Sequence, residues 1–430
     1  MSTSEFDEYK VDHLFLLIGE NPLPNYVAAN LLLKRGGTAY LVYSTGTEKS
    51  ATRLQKILQS ELNGFKSIEL LPLNDYESDA YYIQQEIKNK LGSIKGGNIG
   101  LNYTGGTKAM SSHSYRTLFY EQVKDKSNAL YKRREDVIFS YLDPRRLEMC
   151  IDREDNERIR LKIKPDTLQI ELVKLFQLHG LELKQKPTQE IKLAELTKEL
   201  VEIFGEDKKR KLWFDWYCKI FCEESRKKKP NGTWGNWKSK TDLEKIFVSL
   251  NGLPLSFVKV LRNKNLLNDE DQLVLSNVNG LFPKIEDFCK WLDGIWLEHH
   301  VLEQVKNIAS SQLIQHYGMN FELKLTSDEK FEFDVAFTRG YQLFAISCTT
   351  TSDRKLCKSK LFEAYLRAQQ MGGDEARIAL VCCFDEPDSL KAEISGKIPD
   401  KKIAVFGKED IKKLATELNN WIQKNDEGTR

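Results

Sequence analysis

The sequence predicts an α/β protein, with a Rossmann-like parallel sheet at its N-terminal end, a helical middle compatible with a winged-helix type, and a second α/β unit at its C-terminal end. Three observations predict this. Apolar runs of strand length alternate with helix-length segments over residues 1–152. The pattern then turns helical and aromatic-rich over residues 164–290. Strand–helix alternation returns over residues 291–430.

The elements follow in order. His13 to Ile18 is a short apolar strand, Pro24 to Arg35 a helix and Thr38 to Tyr43 a second strand. Glu48 to Leu62 reads as helix, Ser67 to Pro72 as strand, Asp79 to Leu91 as helix, and Asn98 to Tyr103 as a strand ending in a glycine turn. Val137 to Leu142 and Leu147 to Ile151 flank the turn signal Asp143-Pro144 and close this unit as a hairpin. Arg153 to Arg160 is charged, which sets a linker over residues 153–163. The helical middle is broken by the loop Lys227 to Thr233. Gly294 to Ala309 is the helix that opens the last unit. Strands at Phe321 to Leu325, Glu332 to Thr338 and Gln342 to Cys348 follow, then a helix from Leu356 to Gln370. Ala376 to Phe384 and Lys402 to Phe406 are strands, and Glu409 to Gln423 is the final helix.

A chain of 430 residues is long enough for two or three cores. The net charge of +2 announces no polyanion partner in bulk, so any nucleic-acid surface is local. No apolar run is long enough to span a bilayer, and the acidic Met1 to Lys10 has no signal-peptide pattern, so a cytoplasmic protein with no membrane partner is expected. Cys348, Cys382 and Cys383 lie in apolar strand-like runs. Cys218 and Cys222 are four apart without the two further ligands of a structural zinc site. The eight cysteines therefore read as buried, reduced thiols.

Loops that follow parallel strands collect free backbone N–H groups and helix N-termini, where anionic ligands bind. The first such loop is Gly19-Glu20-Asn21-Pro22-Leu23-Pro24-Asn25; the second runs from Asn102 to Met110 through Thr104, Gly105, Gly106, Thr107 and Lys108. The two glycines admit a phosphate close to the backbone, the threonines offer hydroxyls, and Lys108 offers a cation at a helix start. The glycine-to-lysine spacing is not that of a Walker loop. Ser44 and Thr45, before Gly46-Thr47, add a third polar edge. Any one of these loops alone reads as turn and cap chemistry; three on one edge read as a binding site.

Thr104-Gly-Gly-Thr-Lys108 and Asn21-Pro-Leu-Pro-Asn25 resemble the CARF domain of type III CRISPR effectors. The likeness is to the branch that joins CARF to a restriction-endonuclease-like PD-(D/E)xK domain. Further matches are Phe139-Ser-Tyr-Leu-Asp143, Leu178-His-Gly180, Trp296-Leu-Glu298, Phe333-Asp-Val335 and Gly372-Gly-Asp-Glu-Ala-Arg377. The resemblance implies a homodimer that binds cyclic oligoadenylate across its two-fold axis, and a distal nuclease that the ligand switches on.

A restriction-type site needs two or three carboxylates for Mg2+ or Mn2+ and a lysine near the attacking water. Glu298 and Asp334 match the family's acidic positions. Where the family has Glu-x-Lys, this sequence has Ser347-Cys348-Thr349, and neither Ser347 nor Thr349 replaces a carboxylate or a cation. Either the domain acts by binding alone, or the charges have moved to the next helix. There Lys360 and Glu363 are three apart on one face, with Lys355 and Lys358 as spare cations. The expected metal set is then Glu298, Asp334 and Glu363, with Lys360 facing water. Lys360 and Glu363 equally describe an exposed surface pair.

A track for nucleic acid is offered by Lys208 to Lys211 and Arg226 to Lys229, interleaved with Trp213, Trp216, Trp234 and Trp237; core tryptophans beside a solvated charge run fit the same pattern. The sequence thus points to a metal-dependent nuclease cleaving DNA, RNA or both. A binding-only sensor, a ring nuclease using Thr107 and Lys108 on its own ligand, and a transcription regulator stay open.

Overall fold

A computed structural model describes residues 4–61, 64–124, 129–134, 137–152, 158–324, 330–395 and 402–427. The first sheet holds β1 (Val11–Leu17), β2 (Leu33–Tyr43), β3 (Ser67–Pro72) and β4 (Ile99–Asn102), then β7 (Val137–Asp143), β8 (Glu148–Asp152) and β9 (Ile159–Lys162), after a separate hairpin of β5 (Tyr120–Lys124) and β6 (Ala129–Arg133). Their order is β3-β2-β1-β4-β7-β8-β9, parallel as far as β7 and antiparallel beyond it. Helices α1 (Leu23–Leu32) and α2 (Glu48–Ser60) share a core with Leu14, Leu16, Ala39 and Leu41 on one face. On the other face α3 (Ala80–Ser93) and α4 (Lys108–Phe119) cover Phe15, Leu17, Tyr40 and Val42. Strand order reverses between β1 and β4, and ligands of open α/β sheets bind at such a switch point.

Helix α5 (Leu172–Leu178) leads into β10 (Glu182–Leu183). The middle carries α6 (Ala194–Phe204), α7 (Asp207–Trp216), α8 (Cys222–Ser225), the hairpin β11 (Arg226–Lys228) and β12 (Trp234–Trp237), α9 (Lys240–Leu243), and β13 (Phe247–Ser249), which pairs with β14 (Gln272–Val274) around α10 (Leu255–Asn263). After α11 (Ile285–Lys290) and α12 (Trp296–Ile308) come β15 (Ile314–Lys324), β16 (Lys330–Arg339) and β17 (Gln342–Thr349). Then follow α13 (Arg354–Gly372), β18 (Arg377–Cys382), α14 (Pro387–Ser395), β19 (Ile403–Phe406), α15 (Lys408–Ile411) and α16 (Leu414–Glu427). This second sheet has the order β10-β15-β16-β17-β18-β19, antiparallel up to β17 and parallel from there. Leu361, Ala364 and Ala368 of α13 belong to the core of one face; Leu297, Val301 and Val305 of α12 belong to the core of the other.

The expected α/β class holds, with these differences. The segment after Lys164 belongs partly to the last sheet: β10 pairs with β15, and Thr338 Oγ1 donates to the Ile170 carbonyl at 2.8 Å. Strand β9 extends the first sheet where a linker was expected; residues 153–157 of that linker lie outside the described residues. Helix α1 stops at Leu32, short of the expected Arg35, because the chain turns extended at Leu33 and β2 begins there; Lys34 to Gly37 lie within that strand, with Gly36 at φ +77°. Strand β15 starts at Ile314, seven residues early, since Gln315, His316 and Asn320 hide its apolar signal. All eight cysteines are free and six are buried, but Cys218 is exposed and Cys150 half-buried. One core runs from the α1–α2 face through Leu175 and Phe176 of α5 to the α13 face of the second sheet, so the two α/β units are joined by apolar packing. Among the described residues no helix is long and apolar enough to cross a membrane.

Candidate functional site

The loops after β1 and β4 touch at the switch point. A Cβ on Gly19 would lie 3.2 Å from Gly106 N, and one on Gly105 would overlap the Leu17 carbonyl oxygen, so both glycines are fixed by close backbone approach. Thr107 caps α4: its hydroxyl accepts from Met110 N–H at 3.1 Å and donates to the Glu77 carbonyl at 3.0 Å. Thr104 Oγ1 accepts from Leu142 N–H at 2.7 Å, which ties the glycine loop to β7. Glu20, Thr45, Thr107 and Lys108 are exposed on this edge, with the backbone of Thr104, Gly105 and Gly106 between them.

Of four residues expected to meet the ligand, Pro24, Asn25 and Ser44 are buried and Asn21 is half-buried. Asn25 is fully buried and donates to the Leu17 carbonyl at 2.9 Å, and Pro24 is buried in the first turn of α1. Ser44 is buried, and its N–H donates to Thr47 Oγ1 at 3.1 Å. Asn21 Oδ1 accepts from Leu23 N–H at 3.0 Å and lies 3.1 Å from His179 Nε2. These side chains hold the loops. A short side chain before a helix is favoured by capping as much as by binding, and sequence alone does not separate the two.

In the C-terminal unit, Glu332, Phe333, Asp334, Ser347, Lys360, Glu363, Ala364 and Arg367 line one cavity of about 300 Å3. Ladder pairing between β15 and β16 skips Asp334. Its neighbours pair as Phe333 with Phe321 and Val335 with Met319, and the facing Asn320 has φ +62°. Pairing to β17 begins only at Val335 with Ile346. In place of a ladder partner, Asp334 Oδ2 accepts from Cys348 N–H at 2.6 Å and from the Ser347 hydroxyl at 3.1 Å. Lys360 Nζ donates to the Cys348 carbonyl at 3.2 Å, so α13 delivers its cation beside Asp334. Lys358 pairs with Glu393 at 2.9 Å and Lys355 is exposed, so of the three lysines Lys360 is the one in the cavity lining.

Glu298 approaches Asp334 from α12, on the other face of the sheet. Burial first, and then the charge of Asp334, raises the Glu298 carboxyl well above its usual range; Lys360 opposes this and Glu332 adds to it. Burial also raises Asp334, against the stabilising Cys348 N–H, Lys360 and Ser347 hydroxyl, while Glu363 pushes it further up. Crowded carboxylates with raised pKa values are the chemistry of a site that a cation completes. Among the described residues, however, no three His, Cys, Asp or Glu side chains converge closely enough to hold a metal ion. The expected set of Glu298, Asp334 and Glu363 is therefore not brought together as three ligands. Asp334 and Glu363, two oxygen donors on one cavity wall, fit Mg2+ or Mn2+, which bind few protein carboxylates and keep several waters. Glu332 and Arg367 were missed from the sequence. Glu332 is two residues before Asp334 in a strand, and period-two spacing was the signal that could have found it.

Four of the eight cations in the two middle-domain basic runs have acidic partners. Lys209 pairs with Glu206, Arg210 with Asp207, Arg226 with Asp293 and Lys228 with Glu223. Trp213 and Trp216 are core residues, and Trp234 and Trp237 lie under Lys228 and Arg226. Lys208, Lys211, Lys227 and Lys229 of the same runs are exposed.

No family model and no curated protein sequence matches the chain. Solved structures similar to it in fold include the following three. Protein VC1899 from Vibrio cholerae aligns at TM-score 0.68 and 16% identity, over 96% of this chain and 98% of that one. Can2 from Sulfobacillus thermosulfidooxidans, solved in complex with cyclic tetra-adenylate, aligns at 0.61 and 15%, over 96% and 97%. A type III CRISPR defence DNA nuclease activated by cyclic oligoadenylate aligns at 0.51 and 15%, over 86% of this chain and 45% of that one. The shared fold thus spans both α/β units and the middle between them.

Proposed function

We propose that this chain is a cyclic-oligoadenylate-responsive effector of type III CRISPR defence whose C-terminal unit is a metal-dependent, restriction-type nuclease. The observation that carries this is the cavity shared by Asp334, Lys360 and Glu363, in a fold held in common with a Can2 solved with cyclic tetra-adenylate and a nuclease activated by cyclic oligoadenylate. The ligand lies across the loops of Glu20, Thr45 and Thr104 to Lys108, at the two-fold axis of a homodimer. Backbone N–H groups at Gly105 and Gly106 and the Lys108 ammonium take its phosphates.

In the nuclease cavity Asp334 and Glu363 hold Mg2+ or Mn2+, with Glu298 behind Asp334. The bound ion supplies Lewis acidity and a nucleophilic water at neutral pH. Cys348 N–H and the Ser347 hydroxyl fix the orientation of Asp334 by two hydrogen bonds. Lys360 neutralises charge beside it. A phosphodiester of DNA or RNA fills the rest of the cavity. Among the described residues no three acids converge, which favours a second reading, in which the domain binds nucleic acid without cutting it. Incubation with manganese and supercoiled plasmid, single-stranded DNA or single-stranded RNA, with and without cyclic tetra-adenylate, separates the two. Cleavage that needs both metal and activator supports the nuclease. Retention of the nucleic acid without cleavage under every metal supports the binding-only reading.

A further inference from the structure

Asn21 joins three parts of the fold. Its Oδ1 accepts from Leu23 N–H at 3.0 Å at the start of α1, and lies 3.1 Å from His179 Nε2 at the end of α5. Its nitrogen sits so close to Gly373, where α13 ends with φ +56°, that any Cβ at Gly373 would overlap it. Helix α13 is the element that carries Lys360 and Glu363; Glu363 stands ten residues before Gly373, about 15 Å along the helix.

His179 has an unusual pair of neighbours. Its Nδ1 lies 3.0 Å from the Leu175 carbonyl, one turn back on α5. A carbonyl oxygen only accepts, and Asn21 Oδ1 is fixed as the acceptor because Leu23 N–H donates to it. Both neighbours therefore ask the ring for a proton. Burial, with the Arg53 guanidinium beside it, pushes the His179 pKa down to about 4, although the Leu175 carbonyl opposes the shift. The ring is then neutral near pH 7 and has one N–H. Arg53 on α2 is itself held by the Leu178 carbonyl at 3.0 Å and Ser50 Oγ at 3.1 Å, and Glu375 is the charged group beside Gly373. Neither supplies a second proton.

We propose that His179 is a positioning residue between the two sites: its single proton is held by Asn21 or by Leu175, and that choice decides whether the ligand loop is latched to the ends of α5 and α13. This rests on the cyclic-oligoadenylate reading above. A phosphate that draws the Asn21 amide toward the glycine loop takes Oδ1 away from Nε2. The proton then leaves Nε2 for solvent, another arrives at Nδ1 and caps the Leu175 carbonyl, and the ring stays neutral. Release of Asn21 from its seat against Gly373 frees the end of the helix that delivers Lys360 and Glu363.

Two substitutions separate the bonds. His179→Asn places an amide near the Nδ1 position and keeps the Leu175 bond; His179→Gln reaches the Nε2 position and keeps the Asn21 bond. In the full chain without ligand, hydrogen exchange at the Leu23 amide and at the end of α13 slows in His179→Gln and quickens in His179→Asn, each by roughly 2- to 10-fold, the worth of one net hydrogen bond. With cyclic tetra-adenylate, the activator concentration for half-maximal cleavage rises in the first and falls in the second. A ring that merely fills space makes both variants shift the same way, and that result overturns the latch. Failure of wild type to bind cyclic tetra-adenylate in calorimetry overturns the ligand reading instead, while the exchange measurement still decides the latch.

Discussion

Cys348 N–H donates to Asp334 Oδ2 at 2.6 Å, so the main chain of β17 holds the carboxylate that its side chains do not. Ser347 and Thr349, which flank Cys348 on this strand end, carry no charge. Lys360 fills the space from α13, donating to the carbonyl of the same Cys348. Ser347 of the strand and Lys360 and Glu363 of the adjacent helix line one cavity with Asp334, and the proposed nuclease reading rests on that arrangement.

The raised carboxyls make a prediction about stability. Glu298 and Asp334 have folded pKa values above their ordinary 4.5 and 3.8, so folding favours their protonated forms. Their stabilising effect is full below the unfolded values and is lost as pH rises through the folded ones. Glu298→Gln, which removes the charge and keeps the shape, raises the melting temperature at pH 8 by a few degrees and leaves it nearly unchanged at pH 4. Manganese raises the melting temperature of wild type more at pH 8 than at pH 5. Calorimetric melts with equal shifts at both pH values contradict the account of this cluster.

The ligand loops predict a graded pair of effects. Lys108→Ala removes one charge-assisted contact, and affinity for cyclic tetra-adenylate falls by roughly 1–3 kcal/mol. Gly105→Ala is worse, because its Cβ overlaps the Leu17 carbonyl and forces the two loops apart. Titration calorimetry checks both. Unchanged affinity in Lys108→Ala removes the lysine from the site.

A ring with internal repeat symmetry fits a self-complementary interface, so the proposed ligand site predicts a dimer in solution with and without ligand. Light scattering at twice the chain mass is the expected result. A monomer under both conditions removes the two-fold site.

Much of this architecture was legible in the residues. Alternating apolar runs gave β1 to β4 and the β7–β8 hairpin, and helical spacing put Lys360 and Glu363 on one face of α13. The burial of Ser44 and Asn25 was not legible, because a capping side chain and a binding side chain use the same residue types before a helix. Nor was β15 before Phe321, where polar residues pair in the sheet without an apolar signal. His179 was visible only as part of a motif. Its proximity to Asn21 joins positions 158 residues apart, which local periodicity does not encode.

The central claim is that Glu363 has taken over a metal carboxylate's place beside Asp334. It is tested most directly by activator-stimulated cleavage in manganese by Glu363→Gln, with Asp334→Asn and wild type alongside. Both variants keep the wild-type affinity for cyclic tetra-adenylate, since the ligand loops lie in the other α/β unit. The account predicts that each loses cleavage by roughly 100-fold or more, as for removal of a group on which the chemistry depends. Full cleavage by Glu363→Gln beside an inert Asp334→Asn would contradict it and leave a site without the helix-borne carboxylate.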